Sequence, residues 1–148
     1  MAHCFRKVIG IDVDFEVVMS CKQNVAEADL SDRVDIFHGD VFDLSLFADI
    51  SADIVIYDIP YWVSKILDDG TDVLVKNPNL FSIVEQIRKY IGNEIIIFAP
   101  PSLSVDQIHQ LGAFEYQQVM INGRHDRNYI YLGDMIQRVG VTKIDLQF

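Results

Sequence analysis

Basic residues are scarce in this 148-residue chain, where 12 lysines and arginines face 22 aspartates and glutamates and the net charge is -10. That sign argues against a protein that coats a long phosphate backbone, while a small or capped nucleotide target stays admissible. Cysteine is almost missing: Cys4 and Cys21 stand alone on segments without disulfide-type spacing, so a reducing compartment is expected and neither thiol is given a catalytic role. No apolar run approaches the about 20 residues needed to span a bilayer, and the amino terminus lacks a hydrophobic signal core. A soluble, intracellular protein with no membrane partner is expected. His3, His38, His109 and His125 are scattered without ligand spacing, which leaves no zinc or other metal site to propose. A Gly-x-Gly-x-x-Gly turn is absent, which weakens a nicotinamide-dependent oxidoreductase. Low-complexity tracts and internal repeats are lacking too. With half of its residues hydrophobic, the chain suits a single domain over residues 1–148 and is too short for two.

What is present is an alternation of short β-branched runs with helical stripes. Val8, Ile9, Gly10 and Ile11 run into Asp12, Val13 and Asp14, a buried strand that ends in two acids. Asp14 can cap the helix that follows, whose core stripe is Val17, Val18, Cys21, Val25 and Ala28. Residues 34–38 form the next strand and stop at Gly39-Asp40; residues 41–52 read as a short irregular or helical connection. A strand centred on Ile54, Val55 and Ile56 follows, then a loop or flap up to residue 75. Asn77-Pro78 can open a helix with Leu80, Phe81, Val84, Ile87 and Ile91 on one face and Gly92 closing it. Residues 94–99 read as a strand ended by Pro100-Pro101, and Ser104 can cap a short helix that Gly112 ends. Residues 114–121 and 128–132 are strands around an Asn-Gly reversal. Residues 135–148 carry no assignment. Strands alternating with helices and closing on an antiparallel hairpin give a doubly wound α/β sheet of mostly parallel strands.

The stretch at residues 53–62, Asp-Ile-Val-Ile-Tyr-Asp-Ile-Pro-Tyr-Trp, carries the chemistry. Its apolar half suits a strand buried on both faces. Asp58, Pro60, Tyr61 and Trp62 then fall where open α/β sheets place ligands, past the strand's carboxyl end. The combination suits alkylation of an amine on a flat ring, because such an amine is a poor nucleophile whose N–H protons must be accepted. Asp58 and the Ile59 carbonyl can accept them, and Tyr61 or Trp62 can hold the ring still by stacking. A Pro-aromatic turn that merely plugs the end of the sheet fits the same residues equally well.

Three stretches in order resemble a class I S-adenosylmethionine-dependent methyltransferase: residues 8–14, residues 37–42 (Phe-His-Gly-Asp-Val-Phe) and residues 58–62. Within that superfamily the chain is similar to the trimethylguanosine synthase family, which methylates the guanine N2 of a 7-methylguanosine RNA cap. Residues 98–107 and 129–136 extend the likeness over nearly the whole chain. The resemblance implies a Rossmann-like sheet, S-adenosylmethionine as cofactor, and as partner the 7-methylguanosine cap of a small nuclear or nucleolar RNA, in the nucleus or cytoplasm. It implies that Asp12 accepts the cofactor's ribose hydroxyls, that Val13 lies against adenine, and that Asp40 and the Val41 backbone meet the adenine edge. Asp58 would face the target amine, with catalysis shared by Asp58, Pro60 and Tyr61. Tyr61 or Trp62 would stack on the cationic base, gaining cation–π attraction.

The chain departs from that family twice. Where the family has Ser-Pro-Pro-Trp, it has Asp58-Ile59-Pro60-Tyr61 with Trp62 one place later, so which ring stacks is open. The same four residues are similar to the motif of rRNA adenine N6-dimethyltransferases, which are the alternative. The family's opening strand and glycine-rich turn are also missing before Val8. The resemblance then implies two unpaired edges, on the strands at Val8 and Asp53, unless another pairing or dimerisation closes the gap. A truncated member, compromised in cofactor binding and catalysis as it stands, is expected. A non-catalytic remnant acting as an interaction module is the other class of function. Arg124, Arg127, Lys65 and Lys76 are expected on loops as solvated charges, Tyr116, Tyr129 and Tyr131 as hairpin packing, and the oligomeric state stays open.

Overall fold

The computed structural model of the chain describes residues 4–43, 49–59 and 80–148. They belong to two compact units, residues 1–46 and 47–148.

The first unit is a strand–helix–strand turn: β1 (Val8–Asp12), α1 (Phe15–Glu27) and β2 (Val34–His38). The strands pair in parallel, Val8 opposite Val34 and Asp12 opposite His38, and α1 is the crossover that a parallel pair requires. Asp14 caps α1 as expected, its Oδ1 accepting the N–H groups of Glu16 and Val17 at 2.9 and 3.3 Å. The buried stripe is narrower than expected. Val18 is 1% exposed, whereas Val17 is 42% exposed and Ala28 lies in solvent. Adjacent helical residues point about 100° apart, so a helix packed on one side cannot bury both valines.

The second unit holds β3 (Val55–Asp58), α2 (Leu80–Tyr90), β4 (Ile95–Ala99), 3-10 turns at Val105–Gln107 and His109–Leu111, β5 (Glu115–Ile121), β6 (Arg124–Leu132), a 3-10 turn at Gly133–Met135, and β7 (Gly140–Leu146). The sheet order is β3-β4-β6-β5-β7. β3 with β4 and β5 with β7 run parallel, while β6 runs antiparallel to both β4 and β5. The register puts Tyr57, Ile97, Ile130 and Tyr116 side by side on one face, with Ile95 and Leu132 in the neighbouring row. All six are between 0% and 9% exposed, and with Leu80, Ile83, Val84, Ile87, Leu103, Ile108 and Leu111 they form most of the core among the described residues of this unit. Ile56, Ile96, Phe98, Tyr129 and Tyr131 alternate onto the opposite face and are half-buried.

Several expectations are corrected here. β3 is half-buried rather than buried on both faces, and Asp58 is its last residue rather than one beyond it. In α2, Ile83 joins the buried stripe and Phe81 is half-buried. The expected short helix after Ser104 is two 3-10 turns. Gly92 does follow α2, though not in a left-handed conformation: a Cβ there would meet the Ala52 carbonyl oxygen at 2.9 Å, so close approach selects the glycine. The hairpin reversal stands, with Asn122 at φ 49° and Gly123 at φ 76°, the positive values that a two-residue hairpin turn requires. β6 begins earlier than expected, which moves Arg124, His125 and Arg127 from a loop onto a strand. Tyr116 is buried, but Tyr129 and Tyr131 lie on the other, half-buried face. The unassigned tail contains β7. Among the described residues β1 pairs only with β2, and β3 only with β4. Asn77-Pro78, Lys65 and Lys76 lie outside the described residues.

The segment after β6 is tied down by acids. Glu94 accepts the N–H groups of Asp134 and Met135 at 3.0 and 2.9 Å, and Glu115 accepts those of Gln137 and Arg138 at 3.0 and 3.2 Å. Among the described residues no helix is long and apolar enough to cross a membrane.

Candidate functional site

Parallel pairing of β1 with β2 brings two separate stretches of sequence to one rim. Asp12 ends β1 opposite His38, the last residue of β2, and the Asp12 carbonyl accepts the Gly39 N–H at 3.0 Å. Asp40 is therefore one residue beyond a direct backbone tie to Asp12. The Asp12 side chain turns its own loop by accepting the Asp14 N–H on Oδ1 at 2.8 Å. Asp40 does the same for the next loop, its Oδ1 accepting the Phe42 N–H at 2.9 Å.

Both carboxylates thus spend one oxygen on their own backbone. Their second oxygens take no hydrogen bond from the described residues, and stay available to hydroxyl or amine donors. Around them the surface is apolar: Val13 is 67% exposed, Phe15 57% and Phe42 46%, and Val41 is half-buried. Acceptors beside exposed apolar side chains suit a nucleoside, whose ribose donates hydrogen bonds and whose base is flat. The residues present therefore fit the adenosine end of S-adenosylmethionine.

The expected Asp12, Val13, Asp40 and Val41 come together at this corner. Sequence reasoning passed over three of its members. Phe15 and Phe42 look like ordinary helix and loop residues, and His38 reads as one of four scattered histidines. His38 Nε2 lies 3.0 Å from the Val13 carbonyl oxygen, and its ring meets Phe15 edge-on at 5.7 Å and 84°. An alternating strand that ends in a polar ring beside Gly39-Asp40 was the available signal.

Asp58 belongs to the second unit. It closes β3 opposite Phe98, and the Ile59 N–H continues the ladder to the Phe98 carbonyl at 3.0 Å. Phe98 in turn stacks, tilted, on Tyr129 at 4.8 Å. Desolvation by the surrounding sheet raises the Asp58 carboxyl above its usual range, and the positive charge of Arg127 opposes that rise in part. The result is an exposed carboxylate with heightened proton affinity, suited to accepting a hydrogen from an amine. Pro60, Tyr61 and Trp62 lie outside the described residues. An open groove of about 300 Å³ between α1 and β2, lined by Lys22, Val25, Ser31, Val34, Asp35, Ile36 and Phe37, includes none of the expected site residues.

A family model described as RNA cap guanine-N2 methyltransferase matches residues 1–135. No curated protein sequence matches the chain. Among solved structures it is similar to the delta-N METTL16 methyltransferase domain, with TM-score 0.63 and 18% identity over 86% of this chain and 62% of that one. It is also similar to a protein of Porphyromonas gingivalis W83 assigned as a methyltransferase, with TM-score 0.68 and 15% identity over 95% of this chain and 36% of that one. A third likeness is to the hMettl16 catalytic domain in complex with an RNA hairpin from the MAT2A 3′UTR, with TM-score 0.59 and 12% identity over 93% and 58% of the two chains. The chain thus spans between about a third and just under two thirds of the structures it matches. At such identities the likeness carries the fold, a mixed α/β, Rossmann-like methyltransferase architecture.

Proposed function

Because the chain belongs to the RNA cap guanine-N2 methyltransferase family, we propose that it transfers methyl from S-adenosylmethionine to the N2 amine of a 7-methylguanosine RNA cap. The observation that carries this reading is the family match over residues 1–135, which takes in both the Asp12–Asp40 corner and Asp58. The reading treats residues 1–148 as one methyltransferase domain, acting on capped small nuclear or nucleolar RNA in the nucleus or cytoplasm.

In this reading Asp12 accepts the ribose hydroxyls, Val13 covers one face of adenine, and Asp40 with the Val41 backbone meets the adenine edge. When bound, the cofactor supplies an electrophilic methyl group. Asp58 and the Ile59 carbonyl accept hydrogen bonds from the guanine N2 amine, which frees its lone pair from the ring and directs it at the methyl carbon. Asp58 would take up the proton that the amine releases as it is methylated. Tyr61 or Trp62 stacks on the cationic base and holds it in line.

The test is calorimetric titration of the chain with S-adenosylhomocysteine and with a 7-methylguanosine dinucleotide, followed by methyl transfer to each acceptor. Binding of both ligands and methylation of N2 are expected. An acceptor series that includes unmethylated adenine RNA examines the second reading, which the Asp58-Ile59-Pro60-Tyr61 motif favours. Product at adenine N6 alone would replace the cap by that substrate. Binding without turnover would favour a non-catalytic module, and failure of S-adenosylhomocysteine to bind would refute the cofactor assignment.

A further inference from the structure

We propose that His38 is a positioning residue for the nucleoside end of the cofactor, holding the Val13 backbone in the shape that receives adenine. The proposal rests on the cofactor reading above and adds a residue to it.

The Val13 carbonyl can only accept a hydrogen bond, so the His38 Nε2 at 3.0 Å must carry the proton and donate it. The same ring packs edge-on against Phe15, the first residue of α1. One imidazole therefore links the end of β2, the loop between β1 and α1, and the start of the helix. The other ties at this corner hold neighbouring groups: the Gly39 N–H binds the Asp12 carbonyl, and the Asp14 N–H binds the Asp12 carboxylate. The Val13 carbonyl, by contrast, depends on a side chain from the other strand.

This placement matters because Val13 lies two-thirds exposed, at 67%, between two acids. A peptide fixed beforehand spares the ligand the cost of ordering it, which appears as affinity. A surface histidine with an incidental contact would make no such difference. The two cases separate through a substitution that keeps the donor but not the ring: a glutamine amide can reach the same carbonyl, whereas alanine cannot.

The experiment uses the full chain as wild type, His38→Ala and His38→Gln, with S-adenosylhomocysteine as the probe. Affinity is read by calorimetry, and amide hydrogen exchange at Val13, Asp14 and Phe15 is read without ligand. His38→Ala should weaken binding by about tenfold and speed exchange at those three amides, with the melting temperature little changed. His38→Gln should recover most of both. The proposal fails if His38→Ala binds within twofold of wild type, if exchange in the loop is unaltered, or if His38→Gln is as impaired as alanine. A wild-type chain that binds no S-adenosylhomocysteine is a different result, since it overturns the cofactor reading itself and the role of His38 with it.

Discussion

Replacing Asn128 by aspartate changes one atom and inverts what the core sees there. Asn128 is 0% exposed and sits on β6 where that strand faces the turn after β4. Its Nδ2 donates to the Pro100 carbonyl at 2.7 Å and, at longer range, to the Leu103 carbonyl at 3.4 Å, while its Oδ1 faces the His125 Nε2 at 2.7 Å. The orientation is forced, since the opposite one would aim an acceptor at two carbonyl oxygens. Aspartate does that. Each carbonyl keeps another donor, the Leu103 N–H for Pro100 at 3.1 Å and the Tyr116 hydroxyl for Leu103, so the penalty falls on the aspartate itself, whose oxygen is aimed at two acceptors. A buried carboxylate that keeps only the His125 donor and faces two carbonyl oxygens should cost about 3–5 kcal/mol. With a urea slope of about 1–3 kcal/mol per molar, the unfolding midpoint should fall by at least about 1 M at pH 7.

The loss also has a pH signature. Burial raises the proton affinity of the new carboxyl in the folded state, so the native chain binds the extra proton first. Stability relative to wild type should therefore recover as pH falls through that raised midpoint. Urea titrations at pH 7 and pH 5 measure both effects. An N128D variant as stable as wild type at pH 7, or a deficit that does not shrink on acidification, would refute the hydrogen-bond assignment.

Other outcomes follow from the same geometry. Gly133→Ala should cost at least about 3 kcal/mol in chemical denaturation, because φ is +84° and a Cβ would lie 2.7 Å from both the Asn93 carbonyl oxygen and the Glu94 carboxylate. Asp58→Asn should be at least as stable as wild type at pH 7. Desolvation raises this carboxyl above 3.8, so folding is penalised above the raised midpoint; the difference in melting temperature between the two proteins should vanish below the ordinary carboxyl range. Tyr116→Phe removes the hydroxyl that donates to the Leu103 carbonyl at 2.5 Å and should lower stability by about 1 kcal/mol. Burial pushes this phenol up to about 12, so the wild type should also lose stability as pH rises above the unfolded tyrosine range near 10, and the phenylalanine variant less so. Asp12→Asn should weaken S-adenosylhomocysteine binding more than substitution of any surface acid of α1, since Asp12, unlike those acids, keeps an acceptor oxygen at the β1–β2 rim.

Whatever depends on neighbours in the chain could be read from the sequence. The β-branched runs placed β1, β2, β3 and β4 to within a residue or so, since extended backbone and half-buried surface favour those side chains. Asp14 as a helix cap and Asn122-Gly123 as a reversal follow from bonds and dihedral angles spanning three or four residues. The acids at strand ends were visible for the same reason. Contacts between distant residues were not visible. β7 carries exposed Val141, Ile144 and Leu146 in a weak alternation, and it is a strand because β5 offers it a parallel edge. Asn128 looks like a turn residue, yet it is buried because the Pro100 and Leu103 carbonyls meet it from the turn after β4. Gly92 serves the approach of Ala52, and His38 serves Val13, 25 residues earlier. Local stereochemistry is written in consecutive residues; which carbonyl a buried donor finds is settled only when strands far apart in sequence pack.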